Sequence, residues 1–341
     1  MKRLLEEKVT ALHGAGGLVM DKLLRERILP KFRIRAAGPI GLDQMDDGAV
    51  LDLPPGRLVF TTDSHVVKPL FFPGGDIGKL AVTGTVNDLV VMGARPVALS
   101  LALVIEEGFP LADLERILES AASVLAELGV ALVTGDTKVM GRGELDGLVI
   151  TTTGIGVAER VVPDSGVRPG DFLLVTGPVG EHGLAILAAR NALPVETPVE
   201  SDVAPLWPAL AAALATGGLT AMKDPTRGGL AAALNEMAQK SGVGMEIEEE
   251  RIPVRAEVRG LCELLGISPY ELACEGRAVL AVAPEKLAEV LSALRAHPLT
   301  QGAQVIGRAT ENYPGKVILR TAVGGKRFLE MPLGDPVPRI C

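Results

Sequence analysis

The segment GGDIGKLAVTGTVNDLVVMGARP, residues 74–96, decides the fold of the first half of the chain. Its apolar residues recur at the three- and four-residue spacing of a helix. Gly93 is typical of the position just after a helix end, so the pattern predicts a helix over residues 77–92. The apolar run at residues 96–105 follows at once and indicates a buried strand. A helix that leads directly into a buried strand is typical of an α/β domain.

Helices and strands alternate on both sides of this segment, in two halves that are built alike without a close sequence repeat. Strands are predicted at residues 58–62, 130–134, 148–158, 172–176 and 277–283, and helices at residues 111–128, 182–192, 206–215, 224–240 and 285–296. The Pro- and Gly-rich stretch at residues 163–171 marks the boundary between the halves. We therefore expect an α/β (α+β) protein with an N-terminal segment at 1–40, domains at 41–160 and 168–330, and a tail at 331–341.

Length and composition agree with two domains and exclude several classes of protein. The 341 residues exceed one ordinary hydrophobic core. The 34 basic and 42 acidic residues give a net charge of −8, which argues against a general nucleic-acid or membrane-surface binder. Aromatic residues make up only 3% of the chain, so a base-stacking surface is not expected. The chain shows neither a bilayer-length apolar run nor a signal peptide, and we expect a soluble, cytoplasmic protein.

The three cysteines are Cys262, Cys274 and Cys341, an odd number without CxxC spacing. A disulfide framework and a zinc knuckle are therefore both poor interpretations. Cys262 and Cys274 are expected to be structural residues in the interior. Cys341 is the last residue of a tail with three prolines, which favour an extended arm over a helix. We expect its thiol to be exposed and reactive.

Two familiar phosphate-binding motifs are absent from the sequence. Gly78 and Lys79 are followed by Leu80 where a P-loop needs Ser or Thr, and GxGxxG does not occur. The stretch HGAGG at residues 13–17 is a glycine-rich turn. It either wraps phosphates or merely bends the chain.

Acidic side chains are placed at predicted strand and helix ends, with one inside an apolar helix where Asp is unfavourable. They are Asp46, Asp47, Asp63, Asp88, Asp136 and Asp224. Carboxylates gathered in this way favour Mg²⁺, which takes oxygen ligands and bridges substrate phosphates. For Asp136 and Asp224 a turn or helix cap is an equal alternative, whereas for Asp46, Asp63 and Asp88 together we favour the metal. Asp224 is predicted to cap the helix that starts at Pro225.

The ordered set GAGG, DDGAV, TTDSHVV, GGDIGKLAVTGTVNDLVVMGARP, TGDTKV and KDPTRGGLA resembles the ATP-binding superfamily of aminoimidazole ribonucleotide synthetase, selenophosphate synthetase and thiamine monophosphate kinase. The final PRIC, residues 338–341, is similar to the end of the HypE family, hydrogenase maturation factors that make the cyanide ligands of the nickel–iron site. The resemblance implies a two-domain synthetase-like fold and a homodimer. The N-terminal domain would pair strands across a dimer barrel, next to a C-terminal α/β sandwich domain, with ATP and Mg²⁺ in the cleft between them.

The resemblance also implies the chemistry and its residues. HypF would place a carbamoyl group on Cys341, and ATP-dependent loss of water would turn it into a thiocyanate for the HypC–HypD scaffold. Glu275 would be the base, and Lys138 would orient Glu275 or stabilise developing charge. The Mg²⁺ ligands implied are Asp46, Asp63, Asp88 and Asp224, and the nucleotide contacts are Gly14, Gly16, Gly17, Asp47, Asp63, Lys79, Asn87, Asp136 and Thr137. The tail would alternate between a docked and an extended state.

Two other functions compete with this one. A small-molecule synthetase or kinase of the same superfamily has no use for a terminal thiol, and the glycine-rich turn lacks the reactive Cys or selenocysteine of selenophosphate synthetases. A carrier that has lost ATP chemistry is hard to reconcile with an intact carboxylate set.

Overall fold

The computed structural model describes residues 8–15, 17–45, 48–191, 199–334, 337, 339 and 340. Its helices are α1 (Gly17–Leu23), α2 (Ile77–Val91), α3 (Leu111–Leu128), α4 (Glu181–Asn191), α5 (Trp207–Ala215), α6 (Gly229–Ser241), α7 (Ala256–Leu265) and α8 (Leu287–Arg295). Its strands are β1 (Arg57–His65), β2 (Phe71–Phe72), β3 (Gly75–Asp76), β4 (Arg95–Glu106), β5 (Ala131–Met140), β6 (Leu148–Ala158), β7 (Phe172–Val175), β8 (Leu219–Lys223), β9 (Gly244–Glu248), β10 (Val279–Val282), β11 (Gln304–Thr310), β12 (Val317–Arg320) and β13 (Lys326–Phe328). Within those ranges no helix combines the length and the apolar character needed to cross a bilayer.

The first domain is built on a four-stranded sheet in the order β1-β6-β4-β5. Only β4 and β5 run parallel, because α3 carries the chain from one to the other. Side chains alternate along β4, and its buried residues Leu101, Leu103 and Ile105 belong to the core that includes α2 and α3. The opposite face of this sheet is open, with Leu58 and Phe60 exposed.

The second domain is built on a seven-stranded sheet in the order β13-β12-β9-β11-β7-β10-β8. All neighbours are antiparallel except β9 and β12. Strand β10, which lies next to the edge strand β8, is buried on both faces, in keeping with its unbroken apolar run from Val279 to Val282. The predicted α/β (α+β) class is confirmed.

Helix α2 is buried almost along its whole length. Its N-cap is Asp76, whose carboxylate accepts hydrogen bonds from the amides of Gly78 and Lys79 at 2.8 and 3.0 Å. Gly78 permits close packing on α3, because a Cβ there would lie 2.1 Å from the carbonyl oxygen of Ile117. The helix predicted at residues 77–92 is present and ends one residue earlier, at Val91.

Three predicted element ends are wrong. Strand β5 continues through residues 135–138, so Asp136 lies within the strand rather than after it, and β1 likewise continues past Asp63 to His65. The helix predicted from Asp224 starts only at Gly229. Gly228 and Gly229 have φ angles of +76° and +61°, which belong to a turn and not to a helix, so Asp224 is not a helix cap.

Candidate active site

Four predicted carboxylates lie near one another where the two domains meet. Asp63 comes from β1, Asp88 from α2, Asp224 follows β8, and Glu275 lies in the loop before β10. Burial raises the pKa of both Asp88 and Glu275; the charges of Asp224 and Asp63 raise that of Asp88 further, and all three aspartates raise that of Glu275. Four acids spread over 212 positions of sequence thus form one negatively charged cluster.

Asp88 is the member with the clearest electrostatic signature. Its Oδ2 accepts a hydrogen bond of 2.8 Å from the hydroxyl of Thr61 on β1. Burial, followed by the charge of Asp224, raises the pKa of Asp88 to about 7 despite this bond. The unfavourable Asp that the sequence places inside an apolar helix is thus part of the carboxylate cluster.

Asp63 is paired with the buried His65. Its Oδ2 lies 3.2 Å from Nε2 of His65, and its Oδ1 accepts a bond of 2.8 Å from the amide of Ser64. Burial raises the pKa of Asp63. The hydrogen bond to His65, the charge of His65 and the charge of the nearby Arg227 lower it by more, so the net shift is downward. Gly84 of α2 makes room for this ring, because a Cβ there would lie 2.8 Å from Nε2.

Glu275 is buried, with 3% of its surface exposed, and its Oε1 has no hydrogen-bond partner among the described residues. Burial raises its pKa well above the usual range, and the charges of Asp224, Asp202, Asp63 and Asp88 raise it further. A carboxylate buried without a partner is costly to a fold. Such a group is well suited to accept a proton from a bound substrate.

The backbone of Glu275 is fixed by a second, fully buried acid that sequence reasoning missed. The carboxylate of Asp202 accepts hydrogen bonds from the amides of Glu275 and Gly276 at 3.1 and 3.2 Å. Arg277 lies beside it, with Nε 3.7 Å from Asp202 and Nη2 donating to Glu181 at 2.8 Å. Nothing in the sequence distinguishes Asp202 from a surface acid, because its partners lie more than seventy positions away.

Asn87 joins the two domains beside the cluster. Its amide nitrogen donates to the carbonyls of Glu275 and Ala204 at 3.0 and 3.2 Å, and its oxygen accepts from the amide of Leu206 at 2.8 Å. The side chain predicted to contact nucleotide is therefore engaged in holding the backbone of Glu275.

Lys138 does not meet Glu275 within one chain. It lies opposite Val104 in the register of β4 and β5, on the open face of the sheet, and its ammonium group is 3.4 Å from Asp136. Asp63 faces α2 instead, since it lies opposite the buried Thr152. Strands β1 and β5 are also the two edges of the sheet, roughly 14 Å apart. The predicted contact in which Lys138 orients Glu275 is absent from the described part of the single chain.

Other predicted nucleotide contacts are placed apart from the cluster. Gly14 packs on β5, where a Cβ would lie 2.5 Å from the amide of Val139. Thr137 of β5 is buried, and Lys79 donates to the carbonyl of Gly74 at 3.0 Å. Gly17 begins α1. Gly16, Asp46, Asp47 and Cys341 lie outside the described residues.

The carboxylates do not form a closed metal cage. Among the described residues, no three His, Cys, Asp or Glu side chains are grouped closely enough to hold a metal ion. Mg²⁺ commonly takes one or two carboxylates, with water and substrate phosphates as the remaining ligands. One or two of Asp63, Asp88 and Asp224 would suit that kind of binding. Burial and then the charge of Asp224 raise the pKa of Asp88, and a cation beside these acids would offset their repulsion.

Both described cysteines are buried and unreactive. Cys262 and Cys274 are 1% and 0% exposed and form no disulfide. Burial raises the pKa of Cys262 to about 11 and moves that of Cys274 well upward. The prediction that both are interior residues is confirmed.

Two described residues near the end of the tail are docked into the protein, whereas Met331 and Leu333, earlier in the tail, are exposed. Val337 and Ile340 are 0% and 2% exposed, and both belong to the main hydrophobic core. The expected exposure of the arm does not hold at Val337 and Ile340, whose burial corresponds to the docked one of the two expected states.

Comparison with known proteins follows the same two parts of the chain. Residues 45–158 match the family described as AIR synthase related protein, N-terminal domain, and residues 168–320 match AIR synthase related protein, C-terminal domain. The carbamoyl dehydratase HypE of Rhodobacter capsulatus is 48% identical over 343 residues, covering 99% of each chain. A crystal structure of the hydrogenase maturation protein HypE in complex with ATP is similar at a TM-score of 0.92 and 40% identity, covering 97% of this chain and 99% of that one. A crystal structure of a HypE–HypF complex is similar at a TM-score of 0.79 and 39% identity, covering 93% of this chain and 100% of that one.

Proposed function

Because the chain belongs to the HypE family of carbamoyl dehydratases, we propose that it removes water from a carbamoyl group carried on the sulfur of its own Cys341, in a reaction that consumes ATP. The product is a thiocyanate, the source of the cyanide ligands of [NiFe]-hydrogenase. One observation carries the assignment to this site: Glu275 is a buried carboxylate whose Oε1 has no hydrogen-bond partner within the described ranges, beside three acids suited to Mg²⁺.

The reaction balances as a formal loss of water from an S-carboxamide. Bound Mg²⁺–ATP supplies the phosphoryl group that converts the carbamoyl oxygen into phosphate, a good leaving group. The carbon–oxygen bond then breaks, both N–H protons depart, and the carbon–nitrogen bond becomes triple. The products are the thiocyanate of Cys341, ADP, inorganic phosphate and a proton.

Glu275 accepts the proton from the carbamoyl nitrogen. Its raised pKa makes it a stronger base than an ordinary glutamate once it is ionised, and its Oε1, to which no described residue donates, is available for the N–H. Asp202 and Asn87 keep its backbone in place. The phosphorylated carbamoyl group must be protected from water, which is why the acceptor is buried.

Asp63, Asp88 and Asp224 hold Mg²⁺, with Asp46 as the fourth predicted ligand. Support comes from the electrostatics of the three described acids and from the similarity to a HypE structure solved with ATP. Asp47 and the glycine-rich turn with Gly14, Gly16 and Gly17 remain proposed nucleotide contacts.

The working unit is a homodimer formed through the open face of the four-stranded sheet. Leu58 and Phe60, 57% and 64% exposed, form an apolar patch on that face, and burying it would stabilise a barrel made of two sheets. Lys138 and Asp136 lie on the same face. We assign Lys138 to the site of the second copy, because it is too far from Glu275 of its own chain.

HypF is the proposed donor of the carbamoyl group, since a HypE–HypF complex has been crystallised with a chain like this one. The HypC–HypD scaffold is the proposed recipient of the cyanide. We propose that this exchange takes place in the cytoplasm.

The test is mass spectrometry of the C-terminal peptide. The protein is incubated with HypF and carbamoyl phosphate, and ATP is then added. The peptide is expected to gain the mass of one carbamoyl group and then to lose the mass of one water. Glu275→Gln is expected to stop after the gain. Loss of water at the wild-type rate in Glu275→Gln would remove Glu275 from the mechanism, and no carbamoyl gain on Cys341 would overturn the function itself.

A further inference from the structure

The end of the chain is held by contacts that the dehydration chemistry does not explain. Ile340 inserts its side chain into the core, and its carbonyl oxygen lies 2.9 Å from Nε2 of His182 near the start of α4. The His182 ring is fully buried and packs edge-on against Phe72, with 5.5 Å between ring centroids. This histidine carried no functional signal in the sequence.

The hydrogen bonds around His182 fix which nitrogen carries the proton. The hydroxyl of Ser201 accepts from the amide of Val203 at 3.1 Å and lies 2.7 Å from Nδ1 of His182. The hydroxyl therefore has its own proton to donate to Nδ1, while the carbonyl of Ile340 can only accept. Burial lowers the pKa of His182, which keeps the ring neutral. The ring is thus held as the tautomer that donates to Ile340.

A second set of contacts holds the preceding residue. Arg339 has a φ angle of +58°, a left-handed conformation uncommon outside glycine. Its carbonyl accepts from Arg190 at 2.8 Å and from the amide of Lys68 at 3.3 Å. Its guanidinium group pairs with Asp146, which also binds the ammonium group of Lys68 at 2.9 Å. These contacts stabilise the turn that directs Ile340 inward.

We propose that His182 is a positioning residue that holds the C-terminal segment in its docked state by donating to the carbonyl of Ile340. This proposal rests on the proposed function, in which Cys341 is the substrate. The carbonyl of Ile340 belongs to the peptide bond that leads to Cys341, and that bond is planar and stiff. His182 therefore acts on how often the sulfur is presented to the site, while the chemical step belongs to Glu275.

The docking claim is tested without ATP or HypF, by alkylating the isolated protein with iodoacetamide and following each cysteine peptide by mass spectrometry. Loss of one hydrogen bond is expected to raise the alkylation rate of Cys341 about fivefold in His182→Ala. His182→Gln keeps a donor at a similar reach and is expected to stay within about twofold of wild type. His297→Gln, a histidine remote from the tail, is the matched control.

Cys262 and Cys274 report folding in the same experiment, since both are buried in the native protein. Equal Cys341 rates in wild type and His182→Ala, with both buried cysteines still protected, would overturn the proposal. If His182→Ala exposes the buried cysteines, Ser201→Ala decides. It leaves His182 in place and removes the hydroxyl that fixes its tautomer, which is also the acceptor for the amide of Val203. With both buried cysteines still protected, it must accelerate Cys341 alkylation or the proposal fails.

A second readout separates positioning from chemistry. In His182→Ala the single-turnover loss of water is expected to slow several-fold at saturating ATP, while carbamoylation by HypF proceeds at the wild-type rate or faster. Equal slowing of both steps would indicate a merely structural role and contradict the proposal. If wild-type protein shows no dehydration, the proposed function fails. The alkylation rates still test whether His182 holds the C-terminal segment in its docked state.

Discussion

The carboxylate of Asp202 accepts a hydrogen bond of 3.1 Å from the backbone amide of Glu275. The same carboxylate accepts from Gly276 and lies beside Arg277, so one buried acid determines how the loop before β10 is held. Glycine is required at 276, because a Cβ there would lie 1.9 Å from the carbonyl oxygen of Asp202. The proposed base is therefore positioned by its main chain, which leaves its side chain free for the substrate.

Asp202→Asn is expected to alter both stability and the pH dependence of dehydration. In this variant one of the two buried backbone N–H groups, of Glu275 or Gly276, faces the NH₂ group of the new asparagine instead of an acceptor. The loss costs about 1–3 kcal/mol of unfolding free energy. The charge of Asp202 raises the pKa of Glu275, so its removal moves the acid limb of the rate profile to lower pH. Thermal melting and single-turnover rates against pH measure the two effects. Asp21→Asn, on an exposed ion pair, serves as the control, and an unmoved acid limb would contradict the electrostatic link.

The raised pKa of Glu275 predicts an unusual pH dependence for the dehydration rate of the wild-type protein. A base works only when deprotonated, and the pKa of Glu275 is raised well above that of an ordinary glutamate, first by burial and then by Asp224. The rate of water loss is therefore expected to keep rising at pH values where a base with the ordinary pKa of glutamate would already have levelled off. Single-turnover rates with carbamoylated protein measure this. A plateau reached already near the usual glutamate pKa would show that the base is not a buried acid.

The sequence pattern singled out Asp63, Asp88 and Asp224 as acids that follow or interrupt apolar elements, and buried elements bring such positions together. Glu275, which only the resemblance implied, lies beside them. Asn87, one position before Asp88 on α2, points instead to the second domain, because a step of one residue turns a helix by about 100°.

What the sequence did not reveal depends on register and on distant partners. Lys138 and Thr137 are adjacent, yet they face opposite sides of β5, and the pattern does not say which side holds the site. Ile340 and His182 are 158 positions apart, and no local pattern links a core isoleucine to one histidine. The docking of the tail is a tertiary effect of this kind.

Asp88 predicts that the metal-free protein loses stability as the pH rises. Its folded pKa is about 7 and its ordinary value is 3.8. The stability that protonated Asp88 contributes is fully present below pH 3.8, decreases as the pH rises, and is lost above about pH 7. In EDTA, the melting temperature of wild type is expected to fall between about pH 5 and about pH 7 more than that of Asp88→Asn. Parallel curves would contradict the prediction.

Mg²⁺ should act on the same group. At about pH 8 the ionised carboxylates repel one another in the absence of a cation. Magnesium chloride is therefore expected to raise the melting temperature of wild type more than that of Asp88→Asn. Measuring both with and without ATP separates metal binding from nucleotide binding. An equal response of the two proteins would remove Asp88 from the proposed ligands.

The placement of Lys138 predicts complementation between two inactive chains. If each site takes Glu275 from one chain and Lys138 from the other, a heterodimer of Lys138→Ala and Glu275→Gln has one intact site. Purified through two different tags, it is expected to dehydrate at about half the wild-type rate, although each homodimer is nearly inactive. The Asp88→Asn and Glu275→Gln pair is the matched control, because these residues belong to the same chain's site and no heterodimer restores it. If the Lys138 pair recovers no activity, Lys138 belongs to its own chain's site or takes no part in the reaction. If the control pair also recovers activity, the recovery says nothing about Lys138 and the assignment fails.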